Sequence, residues 1–167
     1  DLGQAHAARA YLAVYTFDRP NALAECHRAV QLTPDDATVL NGCGFVLAQI
    51  GKLAQAMPLR ERLLSIEPLY TVNHVEIARL LVASGRLDEA AKHLHIAASL
   101  SPPGSHTNYE PVYVAIVRGD AKAATDMAAQ IPAAYREPYL MLASQIGPDR
   151  VAADAALNQA DGMHPTA

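Results

Sequence analysis

Residues Thr38–Pro68 read TVLNGCGFVLAQIGKLAQAMPLRERLLSIEP, and their periodicity decides the architecture. Leu40, Cys43, Gly44 and Leu47 recur at three- and four-residue spacing, and after a break Leu59, Leu63 and Ile66 do the same, the pattern of two amphipathic helices. Gly51 supplies the positive φ that ends the first helix, and Pro68 ends the second because proline cannot continue one. The stretch predicts a helix-turn-helix hairpin.

The hairpin repeats. A shift of 34 residues aligns Pro34 with Pro68 and Pro102, Ala22 with Ala56 and Ala90, and Gly51 with Gly85 and Gly119. It also aligns Ala10, Gly44 and Ala78 on the first helices, where small side chains let paired backbones approach; Gly44→Leu or Ala56→Leu is expected to destabilise by roughly 1 to 3 kcal/mol through overpacking. Three regular units result, 3–36, 37–70 and 71–104. In the first, Phe17 replaces the turn glycine and Asp18 is the expected cap of a second helix opened by Arg19-Pro20-Asn21.

The 34-residue spacing, the small residue of the first helix, the turns Gly51-Lys52-Leu53 and Gly85-Arg86-Leu87, the Ala of the second helix and the closing Pro resemble the tetratricopeptide repeat (TPR) family. The resemblance implies an all-α fold, a right-handed superhelix of stacked antiparallel helix-turn-helix hairpins, that is, an α-solenoid forming one array over 1–167. Two degenerate units follow the regular ones, 105–132 and 133–160, with a tail at 161–167. Pro111 sits in the first turn of a helix starting near Glu110, and a second helix runs from Asp120 to Ile131. A fifth hairpin is expected from Pro138 to Ile146 and from Asp149 to Ala160, turning at Gly147-Pro148. The opening AHAARAYLAVYTFDRP and the late QIPAAYREPYLMLASQIGPDRVAADAAL are also similar to TPR arrays at the carboxyl end of bacterial regulators, winged-helix activators and adenylate cyclases among them.

Composition narrows the function. A chain of 167 residues with 51% hydrophobic residues can bury a continuous core, and 5% aromatics without Trp suits close helix packing. The net charge of −4 comes from scattered carboxylates, and no Lys/Arg cluster offers a footprint for nucleic acid. No apolar run approaches a membrane span and no signal peptide opens the chain, so a cytoplasmic protein is expected. Two cysteines, Cys26 and Cys43, make no disulfide framework and read as buried thiols.

Chemistry is hard to place. His93 and His95 point about 200° apart on a helix, and no Cys or Asp stands at ligand spacing, so no metal or other cofactor is expected. Glu61/Glu67 and Asp88/Glu89 lie on helix surfaces or turns, and no phosphate loop, GxSxG or HExxH occurs, which argues against an enzyme.

In the TPR family the first helices line a concave face where extended peptides bind, and the resemblance carries that expectation to one row here: Tyr11, Phe45, Arg79 and Tyr113, each one repeat after the last. Tyr15, Asn41, Gln49, Tyr70 and Tyr109 flank it and complete the expected partner-binding set. Tyr and Phe give large contact area at low entropy cost, while Asn41, Gln49 and Arg79 suit a peptide backbone or a carboxylate. The family's carboxylate clamp is not matched, since its positions fall on Ala7, Tyr11, Gly42, Val72 and Glu76.

The expected function is a protein-interaction scaffold, a regulatory or adaptor module whose partner is a protein or peptide with apolar or aromatic anchors, with neither nucleic acid nor membrane as partner. Two alternatives stand beside it. One is a homo-oligomer formed through the opening helix and a carboxyl-terminal face of Val151, Ala152, Ala155 and Leu157; the other is a small-molecule sensor pocket near Arg79, Tyr109 and Tyr113.

Overall fold

A computed structural model describes residues 2–146. The expected helix at 149–160, its turn at 147–148, the tail and the apolar face at Val151–Leu157 lie outside them. The described residues form α-helices and one short 3-10 turn, with no strand among them. The chain divides into two compact units, Asp1–Arg86 and one beginning at Leu87, so the boundary falls in the turn of the third 34-residue repeat.

The first unit holds α1 (Leu2–Tyr15), α2 (Arg19–Leu32), α3 (Ala37–Gln49), α4 (Leu53–Ile66) and α5 (Thr71–Ala83). α1 pairs with α2 and α3 with α4; α3 also packs on the first hairpin, and α5 on α4. Carboxylates start α2 and α3: Asp18 Oδ1 accepts from the Asn21 amide at 3.1 Å and Asp36 Oδ1 from the Val39 amide at 3.0 Å. The Val39 bond also holds the Asp36 carboxyl below its ordinary pKa. The core joins Ala7, Ala10, Ala22, Cys26, Ala29, Val39, Cys43, Val46, Leu47 and Ala56. Full burial of a side chain such as Leu63 or Leu40 stabilises by about 1.5–3 kcal/mol. Ile66, by contrast, is exposed although it shares the apolar spacing of α4.

The turns repeat as the sequence does. The amide of Lys52 donates to the Leu47 carbonyl at 2.7 Å and that of Arg86 to Leu81 at 2.9 Å, while Gly51 and Gly85 adopt φ of +80° and +74°. This is the Schellman closure, which satisfies carbonyls left over at a helix end. Asp18 makes the same bond to Ala13 at 2.9 Å, but the left-handed residue before it is Phe17, at φ +57°.

The second unit holds α6 (Leu87–Leu100), the 3-10 turn His106–Asn108, α7 (Pro111–Val117), α8 (Ala121–Ala129) and α9 (Ala133–Gln145). Its α7–α8 turn keeps the register, with Asp120 bonded to the Ala115 carbonyl at 3.0 Å and Gly119 at φ +74°. Pro111 opens α7, where its missing amide hydrogen costs nothing. α9 begins at Ala133, before the expected start at Pro138, and α8 ends at Ala129, short of Ile131. Pro138, like Pro58 in α4, lies inside its helix and is exposed, as are Ala134 and Ala54, the residues four positions earlier whose carbonyls lose their helical partner. Ile131 instead joins the core with Tyr109, Val112, Ala124, Ala128, Tyr139 and Ala143.

Candidate functional site

Tyr11 and Tyr15 are four residues apart on α1 and share one face; Asn41, Phe45 and Gln49 do the same on α3. The packing of α3 on α1 brings the Phe45 ring 5.5 Å from that of Tyr11, at an interplanar angle of 33°. Tyr11 and Tyr15 rings lie 5.1 Å apart and their hydroxyls 2.9 Å apart. That bond holds the Tyr15 hydroxyl in its protonated form and raises its pKa. Tyr11 is 44% and Tyr15 60% exposed, while Phe45 is half-buried against the core. The three tilted rings form a shelf anchored at Phe45 and open at the tyrosines. Gln49 is exposed one turn beyond Phe45.

Beside the shelf lies a polar network that includes a buried charge. Arg60 of α4 is 1% exposed, and its Nη1 donates to Asn41 Oδ1 at 2.6 Å and, at 3.5 Å, to Asn73 Oδ1. Asn73 Nδ2 returns a bond to the Arg60 carbonyl at 2.9 Å. Arg60 Nη2 stands 3.9 Å from Glu76, which accepts from Arg79 Nη1 at 2.8 Å. Asn41 Nδ2 donates to the Tyr70 hydroxyl at 3.4 Å. Burial pushes the pKa of the Arg60 guanidinium down, opposed by Glu76 and Tyr70, and its Nε has no partner. Three of the expected residues, Asn41, Tyr70 and Arg79, thus belong to one network. Arg60, Asn73 and Glu76, which complete it, are not in the expected set. One signal for Arg60 is present in the repeat: its register position holds Cys26 and Leu94 in the neighbouring units, both buried.

Tyr109 and Tyr113 belong to the second unit. Tyr109 is 6% exposed, donates its hydroxyl hydrogen to the Gly104 carbonyl at 2.8 Å and packs 6.3 Å from the Tyr139 ring. Tyr113 remains partly exposed, 5.4 Å from Tyr139. The Tyr139 hydroxyl lies 3.3 Å from His106 Nε2, and burial, with Tyr113 and Glu110 nearby, pushes its pKa up to about 12. Next to Tyr109 is a cavity of about 330 Å³ between Gly104, Asn108, Met127 and Gln130. In the first unit, the Cys26 and Cys43 thiols lie against each other's carbonyls at 3.9 and 3.8 Å, both buried. No group of three or more metal-ligating side chains occurs among the described residues, and none of their helices is long and apolar enough to cross a membrane.

No family model matches this chain, and no curated protein matches its sequence. Solved structures do. A variant of the nearly identical TPR-like repeats of a Podosopora anserina kinesin light chain superposes with a TM-score of 0.79 at 15% identity, covering 97% of this chain and 95% of that one. A double mutant of MamA from RS-1 gives 0.73 at 13% identity over 97% and 94%. A chain of the Naa15/Naa10 assembly bound to HypK-THB gives 0.55 at 18% identity, over 96% of this chain but only 26% of that one. At these identities it is the backbone arrangement that is shared, and the protein described here has the all-α fold of the TPR-like helical repeat proteins.

Proposed function

We propose that the chain is a non-catalytic scaffold, a regulatory or adaptor module that binds a segment of another protein on the first-helix face of α1, α3 and α5. The observation that carries this reading is the shelf of Tyr11, Tyr15 and Phe45, where two exposed tyrosine rings extend from a half-buried Phe45 that packs against the core. Such rings supply apolar area with few rotamers to freeze and a hydroxyl at the edge, which suits a segment with apolar or aromatic anchors. Asn41, Tyr70, Gln49 and Arg79 lie alongside to hold its polar groups. The TPR-like fold, found in a chain of an assembly bound to HypK-THB, agrees with a protein partner.

The test is selection from a displayed library of random short peptides on the wild-type chain and on a Tyr11→Ala/Tyr15→Ala/Phe45→Ala variant whose circular dichroism is unchanged. Apolar or aromatic peptides enriched on the wild type and lost on the variant support the shelf. Equal enrichment on both rules it out.

Self-association is a second reading, favoured by one observation: Leu12 is 65% exposed on α1, yet it stands one repeat before Val46, which is fully buried in the core shared by the first two hairpins. A sedimentation profile that stays monomeric across concentration excludes it.

A further inference from the structure

We infer that Arg60 is a positioning residue for the first-helix face, fixing the Asn41 carboxamide with its oxygen inward so that Asn41 presents N–H to a carbonyl or carboxylate oxygen of a bound segment. The inference rests on the reading of that face as a binding surface.

Arg60 occupies a core position. Its register partners, Cys26 and Leu94, are buried apolar residues, so the repeat fold does not require a cation there. Burying a guanidinium is costly, and replacing a buried ion by an apolar residue of similar volume is often neutral or stabilising. The donor Nε is left without a partner, so the site is not optimised for stability. What the charge does accomplish is orientation. Its Nη1 lies 2.6 Å from the Asn41 side chain, and a guanidinium has donors only, so an amide turned the other way would set N–H against N–H. The oxygen must face Arg60, and the two N–H donors must face away.

Outside, the Tyr70 hydroxyl engages Nδ2 at 3.4 Å, a long contact. One amide has two N–H groups, which leaves donor capacity beside Phe45, one helical turn along α3. Tyr70 accepts in that contact and keeps its own O–H to donate. On the other arm Arg60 Nη2 stands 3.9 Å from Glu76, which also accepts from Arg79. The polar edge of the shelf therefore offers donors, the complement of an oxygen acceptor.

The experiment uses Arg60→Leu, which copies the residue of the next repeat, and Arg60→Met, whose flexible chain fills the site if leucine disturbs folding. The Asn41 side-chain amide is followed by nuclear magnetic resonance in the whole chain. Its signals are expected to move, because the carboxamide oxygen loses its charge-assisted hydrogen bond and with it the fixed orientation of the group. A peptide selected on the wild type should lose about tenfold in affinity on Arg60→Leu and similarly on Asn41→Ala, with no further loss in the double variant, because both changes remove one element. Unchanged Asn41 signals, or losses that multiply in the double variant, overturn the inference. If no peptide is selected by the wild type while the Asn41 signals respond as stated, the binding reading fails and the positioning of Asn41 by Arg60 stands.

Discussion

Arg60 fills the place of the side chain that Gly44 lacks: a Cβ at Gly44 would stand 2.8 Å from Arg60 Nε, 3.1 Å from Cδ and 3.2 Å from Cζ. The small residue of the first helix is thus matched in this repeat to a large buried partner. At the same register Ala10 accompanies Cys26, and Ala78 accompanies Leu94.

Gly44→Ala is therefore expected to destabilise the first unit by about 1–3 kcal/mol, the range for overpacking a filled site. In Gly44→Ala/Arg60→Leu, which reproduces the residue combination of the third repeat, the loss should be mostly recovered. Urea unfolding of the two single variants and the double variant measures the coupling, and additive losses would count against a matched pair.

Phe17 holds φ +57° with its ring 85% exposed, where the other repeats have glycine. The left-handed backbone costs a residue with a Cβ roughly 1–2 kcal/mol, and the exposed ring gives little back in folding. Phe17→Gly should raise the thermal midpoint of the first unit, partly offset by the larger unfolded-state entropy of glycine. An unchanged or lower midpoint would mean that the ring makes a stabilising contact.

Tyr139 gives the second unit an alkaline limit. Its pKa is pushed from 10.0 to about 12, so between these values the unfolded chain releases a proton that the folded one keeps. The associated stability is complete below the unfolded value of 10.0 and declines as pH rises toward about 12. In Tyr139→Phe this decline should be shallower in pH-dependent urea midpoints, and identical slopes would exclude the effect.

The Cys26 thiol is pushed well above its ordinary pKa by its contact with Cys43 and by burial. Both thiols are buried, so native Cys26 and Cys43 should react with an aromatic disulfide reagent at least ~100-fold more slowly than in urea-unfolded chain. Rapid labelling of the native chain would contradict the packing of α2 on α3.

Much of this fold is written locally. Gly51, Gly85 and Gly119 mark turns because only a left-handed residue closes a helix that way, and Pro34, Pro68 and Pro102 recur with the same period because none of them can continue a helix. The pairing of Tyr11 with Phe45 follows too, since residues one repeat apart occupy equivalent places on adjacent first helices. The start of α9 does not follow, because Pro138 reads as a boundary, whereas the helix begins at Ala133 and runs through it.

The repeat, the hairpins and the Tyr11–Phe45 pair are legible in the chain because they depend on short-range backbone preference and on a period that survives substitution. The fate of two residues in the expected set came instead from packing: Tyr109, spaced like a surface tyrosine, is drawn into a core with its hydroxyl on Gly104, and Asn41 is turned by a cation from the next helix. An arginine in an amphipathic helix reads as solvated. Whether Arg60 is solvated depends on the space that Gly44 leaves open on α3, and the two residues meet only when the helices pack.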